Sequence, residues 1–541
     1  MANTSLVKKL VLLLCVTALI LCTLTSCNGE DLPADTFGNT PSGTTSEDDH
    51  FNNEFNSSSD RPIKPTSSYP SHISFPSFNS IQGFSKNNGN SVRGYNYMPS
   101  VTEIMPAINI ETADGKDTFV TDYGRDEKIL DLIDYVGAKI SVTGCEDKYR
   151  MNGIEAEVKV RGNYTLDYDK KPIRIKFTKK QGMLGLNGGN KFKSWVLLAD
   201  YKDLSLSHNS VAYYLGNVLL GSDGLYCTDF RTVEVYINGR YWGVYILAEQ
   251  QEVKEGRTSV PEVPKDYKEK DIGYFFEYDN YYVDEQNMPN GAGDPTFTID
   301  YGTGRYFQKG YTVKSDINDK KQLNFLKSYV QNAFRIIREA TMGNFYKFNN
   351  NNNGLIAAPE ITNPKQAIEK VLNIDSVVDM YILSEICRDP DIAMSSFYLS
   401  LDMTQSGTKK INLEAPWDFD SGLGIKNDDA ANTHGLYAAE TANPWLHVLT
   451  SQDWFWDMVK AKWAKLKQHG ILDNTLNLVL KQKTVYEKYY ARNYQRWSDR
   501  IGWGLGILRD EHATYKNQAQ AADYLHSWLK ERFNYLDSQW E

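Results

Sequence analysis

Two aspartates separated by one aromatic residue are the feature of this sequence best suited to chemistry. They are Asp418 and Asp420 in the stretch INLEAPWDFDSGLG, residues 411 to 424. Two carboxylates this close repel each other and lose hydration on burial, unless a cation lies between them or water screens them in a turn. The pair therefore indicates either a solvated turn or a cation-binding site.

A predicted β-hairpin brings further oxygen ligands to this aspartate pair. The segment SFYLSLD (396–402) alternates apolar and polar residues, QSGTKK supplies a turn, and INLEAPW returns as a second strand. Because paired strands lie about 5 Å apart, the start of the first strand neighbours the end of the second. Asp391 and Ser396 are then expected to approach the aspartate pair. Such ligands suit Mg²⁺ or Mn²⁺ carrying phosphate.

Two predicted strands further upstream carry positive charge. EAEVKVRGN (155–163) and KPIRIKF (171–177) alternate apolar with charged residues, so each strand has one apolar face and one basic face. In a single strand, a solvated face would explain these charges. Two neighbouring strands that share a basic face, with Arg161 where they join, favour one wall of an anion site.

A second hairpin is predicted from EVYINGRYWGVYIL, residues 234 to 247. Asn238 and Gly239 separate two apolar runs, which is the strongest short-range signal for a hairpin turn. The second strand continues to Glu249. This carboxylate either pairs with a cationic side chain in a cleft or faces water, and it is a candidate nucleotide-binding residue in the first case.

The second half of the chain is predicted to be mainly helical. The stretch IDSVVDMYILSEICRD (374–389) has Asp375 or Ser376 in position to cap a helix. After residue 445, three long segments carry aromatic residues at helical spacing, and these aromatics are expected to pack in the core. The fold class is therefore α+β, with a β-rich N-terminal half and a helical C-terminal half.

Composition narrows the class of protein. The chain has 541 residues, of which 41% are hydrophobic and 13% aromatic, enough to form one large domain or two closely associated ones. Its formal charge of -10 argues against a general nucleic-acid binder, and we expect no nucleic-acid partner. Beyond Cys27, only Cys145, Cys227 and Cys387 remain, which predicts neither a disulfide framework nor a zinc site.

The N-terminus has the pattern of a targeting segment. Two lysines precede an apolar run from Leu10 to Leu21, and LTSC follows at 24–27. This pattern resembles a bacterial lipobox, in which Cys27 is lipidated, whereas the alternative is an uncleaved membrane anchor. We expect a signal peptide over 1–26 and an extracytoplasmic protein anchored to the membrane through Cys27. A polar, disordered tether over 27–95 is expected to follow.

The folded domain is predicted over 96–541, with a β-rich part at about 102–320 and a helical part with the metal site at about 321–541.

The order of the candidate residues is the one that protein kinases use. A loop aspartate is followed five positions later by a polar residue, then by a hairpin and a metal-binding aspartate. The motifs GxGxxG and HRD and a DFG-to-APE segment are missing.

Several ordered motifs resemble the spore coat protein H (CotH) kinase family over about residues 102–540. They are RGNYT with KKPIRIKF, VEVYINGRYWGVYILAEQ, GYFFEYD, the helix before RDPD, SSFYL and PWDFDSGLG. The resemblance implies an atypical protein-kinase-like fold, use of ATP with a divalent metal, and phosphorylation of Ser or Thr in a protein acceptor.

The resemblance also implies roles for individual residues. Asp391 matches the catalytic aspartate, and Asp418 and Asp420 match the metal-binding pair. Ser396 stands where a kinase has a metal-binding asparagine, and Asp389 adds a negative charge beside the catalytic position. We predict that Lys176 contacts the nucleotide phosphates, with Lys171 close enough to compete for this role, and that Arg161 and Glu249 also belong to the nucleotide site.

Two other classes of function fit the same residues. A glycosyltransferase or nucleotidyltransferase of the DxD type would use the aspartate pair to hold a metal-bound diphosphate. A surface-displayed lipoprotein with a binding or structural role would keep the fold, with the carboxylates bound to calcium or to water. Binding of ATP that depends on magnesium or manganese would separate these classes.

Overall fold

The structure is a computed structural model that describes residues 93–122, 133–162, 164–288, 293–306, 310–352, 354–438, 443–497 and 510–541. Internal contacts divide the chain into Met1–Gln82 and Gly83–Glu541, and every described residue belongs to the second unit. The predicted signal peptide, Cys27 and almost all of the predicted tether lie outside the described residues. Among the helices that are described, none combines the length and apolar character needed to cross a membrane.

Seven strands of the first half form a closed barrel. They are β1 (Ala107–Thr112), β2 (Val136–Thr143), β3 (Met151–Val160), β4 (Ile173–Gln181), β5 (Phe192–Leu198), β6 (Phe230–Ile237) and β7 (Arg240–Glu249). The order around the barrel is β1-β2-β3-β4-β5-β7-β6, and a parallel pairing of β1 with β6 closes it. The other neighbouring strands are antiparallel. The alternating apolar residues Ala156, Val158 and Val160 of β3 and Ile173, Ile175 and Phe177 of β4 are buried, as predicted.

The turn between β6 and β7 confirms the second predicted hairpin. Asn238 and Gly239 both adopt positive φ, at 49° and 75°. Positive φ at both central positions is the requirement of a type I′ turn, whose twist matches that of the flanking strands.

The remaining strands are β8 (Gly273–Tyr278), β9 (Thr296–Thr298), β10 (Gly310–Val313), β11 (Tyr346–Phe348), β12 (Leu355–Ala357), β13 (Phe397–Asp402) and β14 (Ile411–Glu414). Five of them form an antiparallel sheet in the order β14-β13-β8-β10-β9, and β11 pairs with β12. The predicted hairpin next to the aspartate pair is confirmed, because β13 and β14 are antiparallel and Tyr398 lies opposite Glu414.

The helices are α1 (Thr118–Thr121), α2 (His208–Ser222), α3 (Tyr282–Gln286), α4 (Lys320–Thr341), α5 (Pro364–Ile368), α6 (Ile374–Cys387), α7 (Pro444–His447), α8 (Asp453–Gln468), α9 (Ile471–Val485), α10 (Glu487–Trp497) and α11 (Gln518–Trp540). The fold is thus mixed α and β, with a β-rich first part and a helical C-terminal part. The long C-terminal helices bury aromatic residues, including Phe455, Trp463 and Trp528, as predicted.

Helix α6 begins one residue earlier than its predicted cap. Asn373 is the N-cap residue, and no side chain caps the helix there. Ser376 lies inside the first turn, where its hydroxyl donates to the Asn373 carbonyl at 2.6 Å. The predicted capping role of Asp375 or Ser376 is therefore wrong. Helix α6 is buried and packs against α2 and β14, so tertiary contacts stabilise it without a side-chain cap.

Candidate active site

Four aspartates come together where the chain leaves α6 and where it leaves β14. Asp389 and Asp391 follow the end of α6, and Asp418 and Asp420 follow the end of β14. Asp389 interacts electrostatically with the other three carboxylates. Asp418 interacts with Asp420 and Asp391. We call these four residues the acidic cluster. The predicted approach of Asp391 to the aspartate pair is thus present in the structure.

Backbone contacts explain why the two segments meet. The N–H of Leu423 donates to the Cys387 carbonyl at 2.6 Å, which joins the loop after Asp420 to the last residue of α6. A side chain at Gly422 would place its Cβ 2.7 Å from the same carbonyl, so only glycine permits this approach. The carboxylate of Asp389 in turn accepts from the N–H of Asp391 at 3.0 Å and fixes the turn that carries Asp391.

Several residues in and around the cluster have strained backbone. Positive φ occurs at Asp200 (46°), Arg388 (45°), Ser396 (59°), Asp418 (67°) and Leu423 (56°), none of which is glycine. Each such residue costs about 1–3 kcal/mol and persists only where the surrounding contacts hold it. This clustering is typical of functional sites.

Lys202 is the cation closest to the aspartate pair. Its ammonium lies 2.9 Å from Oδ1 of Asp420 and donates to the Ser421 hydroxyl at 2.6 Å. Only 7% of the Lys202 side chain is exposed. Burial by itself lowers the pKa of Lys202, but Asp420, Asp391 and Asp418 contribute to a net rise above its ordinary value, so the ammonium stays charged.

Arg161 provides a second cation on the other side of the pair. Its guanidinium interacts with Asp418 and lies 5.4 Å from the centre of the Trp417 ring. Burial lowers the pKa of Arg161, and the charge of Asp418 opposes this change. Near Asp391, Lys426 places its ammonium 3.7 Å from Oδ1. Four carboxylates therefore share three nearby cations.

Burial and neighbouring negative charges raise the pKa values of two aspartates in the cluster. Burial, and then the neighbouring Asp420, raise the pKa of Asp418 to about 7. Burial, and then Asp391, raise the pKa of Asp389 well above its ordinary value. Asp389 is fully buried, so its carboxyl favours the protonated form and does not add the full negative charge expected from the sequence.

The donor atoms of the acidic cluster are of the kind that binds a divalent cation. All its candidate ligands are carboxylate oxygens, and a cation would relieve the repulsion that raises the pKa of Asp418. Among the residues described by the structure, however, no group of three or more His, Cys, Asp or Glu side chains is arranged to hold a metal ion. The expected convergence of three carboxylates into a preformed metal site is therefore not present among these residues.

The position of Ser396 differs from the one that the hairpin pattern predicts. Its N–H donates to Oε1 of Glu277 at 2.7 Å, and this is the contact found at the start of β13. Glu277 also lies 3.5 Å from the ammonium of Lys314. Burial raises the pKa of Glu277 to about 7. Ser396 is thus positioned by Glu277, and no contact of its hydroxyl with the aspartate pair is observed in the described part of the chain.

Lys176 lies on the predicted basic face but at the end distant from the acidic cluster. In the register of β3 and β4, Lys176 is opposite Glu157 and Arg174 is opposite Lys159. Arg161 follows Lys159 by two residues, so Lys176 is about 14 Å along the strands from Arg161. Lys176 is 46% exposed, and its ammonium lies 3.8 Å from Glu157. The structure therefore does not place Lys176 with the aspartates.

Lys171 and Glu249, which were also predicted to contact the nucleotide, bind other parts of the protein. Lys171 is buried and donates to the Tyr168 carbonyl at 2.7 Å. Glu249 is completely buried, with Arg257 at 3.4 Å and Arg93 at 3.6 Å. The partners of Glu249 are arginines of the protein core, so neither a cleft lysine nor water accounts for it. Glu249 therefore offers no exposed carboxylate to a nucleotide.

Sequence reasoning missed Lys202 and its neighbour Asn209. Asn209 accepts from the N–H of Phe419, between the paired aspartates, at 3.0 Å, and donates to Asp200 at 2.8 Å. A signal for both was present in the stretch ADYKDLSLSHN (199–209), where polar residues directly follow the apolar strand β5. Polar residues that end a buried strand are frequent ligands and supports of functional sites.

The part of the chain that contains this site matches a known protein family. A family model described as CotH kinase protein matches residues 158–536, which is more than half of the chain. The matched range contains the acidic cluster, Arg161 and Lys202, and begins within β3, so β1 and β2 precede it. No curated protein matches the chain. The extent of the family match shows that this chain belongs to the CotH kinase family.

Proposed function

We propose that this protein is an atypical protein kinase that transfers phosphate from metal-bound ATP to Ser or Thr of a protein acceptor. The observation that carries the proposal is the position of Asp391. It lies in the same cluster as Asp418 and Asp420, with Lys202 bound to Asp420 at 2.9 Å. Family membership supports the assignment as a kinase, and a kinase-like fold is part of the proposal.

The proposed roles follow from charge and exposure. Asp418 and Asp420 would hold the divalent cation, which supplies neutralisation of the phosphate charge when it is bound. Lys202 and Arg161 bring positive charge to the same place and would contact the phosphate oxygens. Asp391, whose side chain is 31% exposed, would orient the acceptor hydroxyl and accept its proton.

The first experiment measures the melting temperature of the purified protein with ATP, in the presence of Mg²⁺ or Mn²⁺ and in the presence of EDTA. Ligand at a hundredfold its dissociation constant should add about 2.7 kcal/mol to the free energy of unfolding. We expect stabilisation only when ATP and metal are both present. If a nucleotide sugar with metal stabilises the protein and ATP does not, a DxD-type transferase replaces the kinase.

The second experiment measures transfer. Labelled phosphate from ATP should enter a basic, Ser-rich peptide, and alanine in place of serine should abolish incorporation. Binding of ATP without transfer to this peptide or to surface proteins of the source cell would favour a non-catalytic binding protein.

The location of the protein is proposed from the sequence alone. A lipid on Cys27 would anchor the chain to the outer side of the cell membrane, with residues 28–95 as a tether. We expect Cys27→Ala to release the protein or to leave its precursor uncleaved. An unchanged mature mass and unchanged membrane association in this variant would contradict lipid anchoring.

A further inference from the structure

A pocket lined by three arginines opens between β7 and α10. Its volume is about 560 Å³, and its lining consists of Arg240, Tyr241, Arg492, Gln495 and Arg496. We call it the arginine pocket. None of the residues of the acidic cluster, nor Arg161 or Lys202, lines it. The pocket therefore needs an explanation of its own.

The two elements around the pocket are held rigidly together. The N–H of Val244 donates to Oδ1 of Asn493 at 3.0 Å, and the indole N–H of Trp497 donates to the Trp242 carbonyl at 2.8 Å. A Cβ at Gly243 would lie 2.8 Å from that Asn493 oxygen and 2.9 Å from the Trp497 nitrogen, so this close contact requires glycine. The arginines of α10 are thus presented on a fixed support.

Aromatic rings lie close to two of the three guanidinium groups. Arg492 lies 3.9 Å from the centre of the Tyr241 ring, and Arg496 lies 4.6 Å from Trp242 and 4.9 Å from Trp497. Stacking uses the faces of a guanidinium and leaves the N–H donors at its edge for hydrogen bonds in the plane. Arg492 and Arg496 are four residues apart on a helix, so their side chains are neighbours.

The positive charge of the pocket is only partly balanced. Arg240 pairs with Asp117 at 3.0 Å, and Arg492 lies 3.5 Å from Glu234 and donates to the Tyr236 hydroxyl at 2.7 Å. Within the described residues, Arg496 makes neither an ion pair nor a hydrogen bond, and its recorded contacts are the two rings. Partial burial, and then the charge of Arg240, lower the pKa of Arg496. An anion between these side chains would relieve that repulsion.

We propose that the arginine pocket binds a phosphate monoester carried on a peptide side chain. Planar guanidinium groups recognise phosphate through paired hydrogen bonds, and a phosphate dianion matches the excess charge. The pocket is open to solvent, so a phosphate group attached to a peptide side chain can reach the arginines. Since the whole chain has a formal charge of -10, a local site for one anionic group fits better than a surface for an extended polyanion.

The test uses a fluorescent peptide with one phosphoserine and the same peptide with serine, titrated with the full-length protein. We expect the phosphopeptide to bind at least tenfold more tightly than its unphosphorylated counterpart. Arg496→Gln and Arg492→Gln should each weaken phosphopeptide binding about tenfold, with Arg496→Lys in between, because lysine keeps the charge but loses the paired hydrogen bonds. Melting temperatures of these variants verify that they are folded.

The matched control is Arg335→Gln, which removes an exposed helical arginine that contacts Tyr346 at 6.0 Å, far in sequence from the pocket. It should bind like the parent. Loss of binding in Arg161→Gln with retention in Arg496→Gln would overturn the proposal and assign the anion to the acidic cluster. Equal binding of both peptides, or binding only to vesicles that contain anionic lipid, would also overturn it.

Discussion

Two buried ionic regions of this molecule are built from the same groups and differ in the partners of their carboxylates. At the first, Glu249 lies between Arg93 and Arg257, and one of its oxygens also accepts from the N–H of Asp229 at 2.9 Å. The carboxylate has a charged or hydrogen-bonding partner on each side. Such a network costs desolvation and contributes mainly by fixing how the surrounding segments pack.

At the acidic cluster, carboxylates outnumber cations. Four aspartates share Lys202, Arg161 and Lys426, and the pKa of Asp418 rises to about 7 as a result of burial and of Asp420. Strained backbone is also found there, at Asp418 and at the nearby Arg388 and Leu423. The comparison indicates that a carboxylate with a partner on each side has a structural role, whereas carboxylates that repel one another are retained where another cation is to be bound.

The largest expected effect is on transfer at the acidic cluster. Asp391→Asn should lower phosphotransfer by about 10³-fold, since an amide cannot accept the proton of the acceptor hydroxyl. It should keep metal-dependent ATP binding, whereas Asp418→Asn and Asp420→Asn should weaken that binding by removing a charged ligand. ATP titration with Mn²⁺ and incorporation of labelled phosphate measure the two properties. If all three variants bind and transfer like the parent, the aspartates have no catalytic role.

Stability should respond in opposite directions in the two regions. Glu249→Gln removes the counter-charge of Arg93 and one of the two carboxylates that pair with Arg257, and should lower the free energy of unfolding by about 3 kcal/mol. Asp418→Asn removes a repelled charge and should raise the melting temperature of the metal-free protein. Urea unfolding in EDTA measures both. A loss of stability of similar size in both variants would remove the distinction between the regions.

Substitution of Lys202 or Lys176 should have a smaller effect, on the affinity for ATP. Lys202→Ala should weaken metal-dependent ATP binding about tenfold, the size expected from one charged hydrogen bond to phosphate. Lys176→Ala is the matched control and should leave the affinity unchanged, because Lys176 is exposed and pairs with Glu157. The reverse result would return the phosphate contact to Lys176 and would require the nucleotide to lie along the outer face of β3 and β4.

The smallest expected effect is on pH dependence. The pKa of Asp418 is about 7 in the folded protein and near 3.8 in an unfolded chain, so the folded state binds more protons between these values. Stability of the metal-free protein should therefore fall as pH rises from about 4 to about 7. Asp418→Asn should make this decline shallower, and saturating metal with ATP should do the same. Melting curves in EDTA across this range test the effect, which an identical slope in parent and variant would contradict.

Much of the local structure could be predicted from the sequence. The Asn238-Gly239 turn, the alternation in β3 and β4 and the hairpin of β13 and β14 follow from the steric needs of individual residues and from the period of two in a strand. The hairpin also predicts that Asp391 lies near the aspartate pair, because antiparallel pairing joins the ends of neighbouring strands.

The partners of the charged residues could not be predicted in this way. Alternation indicates which face of β4 carries Lys176, but the position of that face relative to the aspartates depends on how the barrel contacts the rest of the fold. Lys202 follows a different strand and reaches Asp420 across more than two hundred residues of sequence. Glu249 has the pattern of a strand end near a cleft, yet the tertiary structure buries it between two arginines.

The sequence by itself determined the strands, the long helices, the hairpin turns and the presence of a closely spaced aspartate pair, because these features depend on interactions over a few residues. Only the tertiary structure decided that Lys202 and Arg161 accompany this pair, that Glu249 is a core residue, and that three arginines line a pocket between β7 and α10. Electrostatic interactions act through space and depend on burial, so the charge balance of a site is set by segments that are distant in sequence.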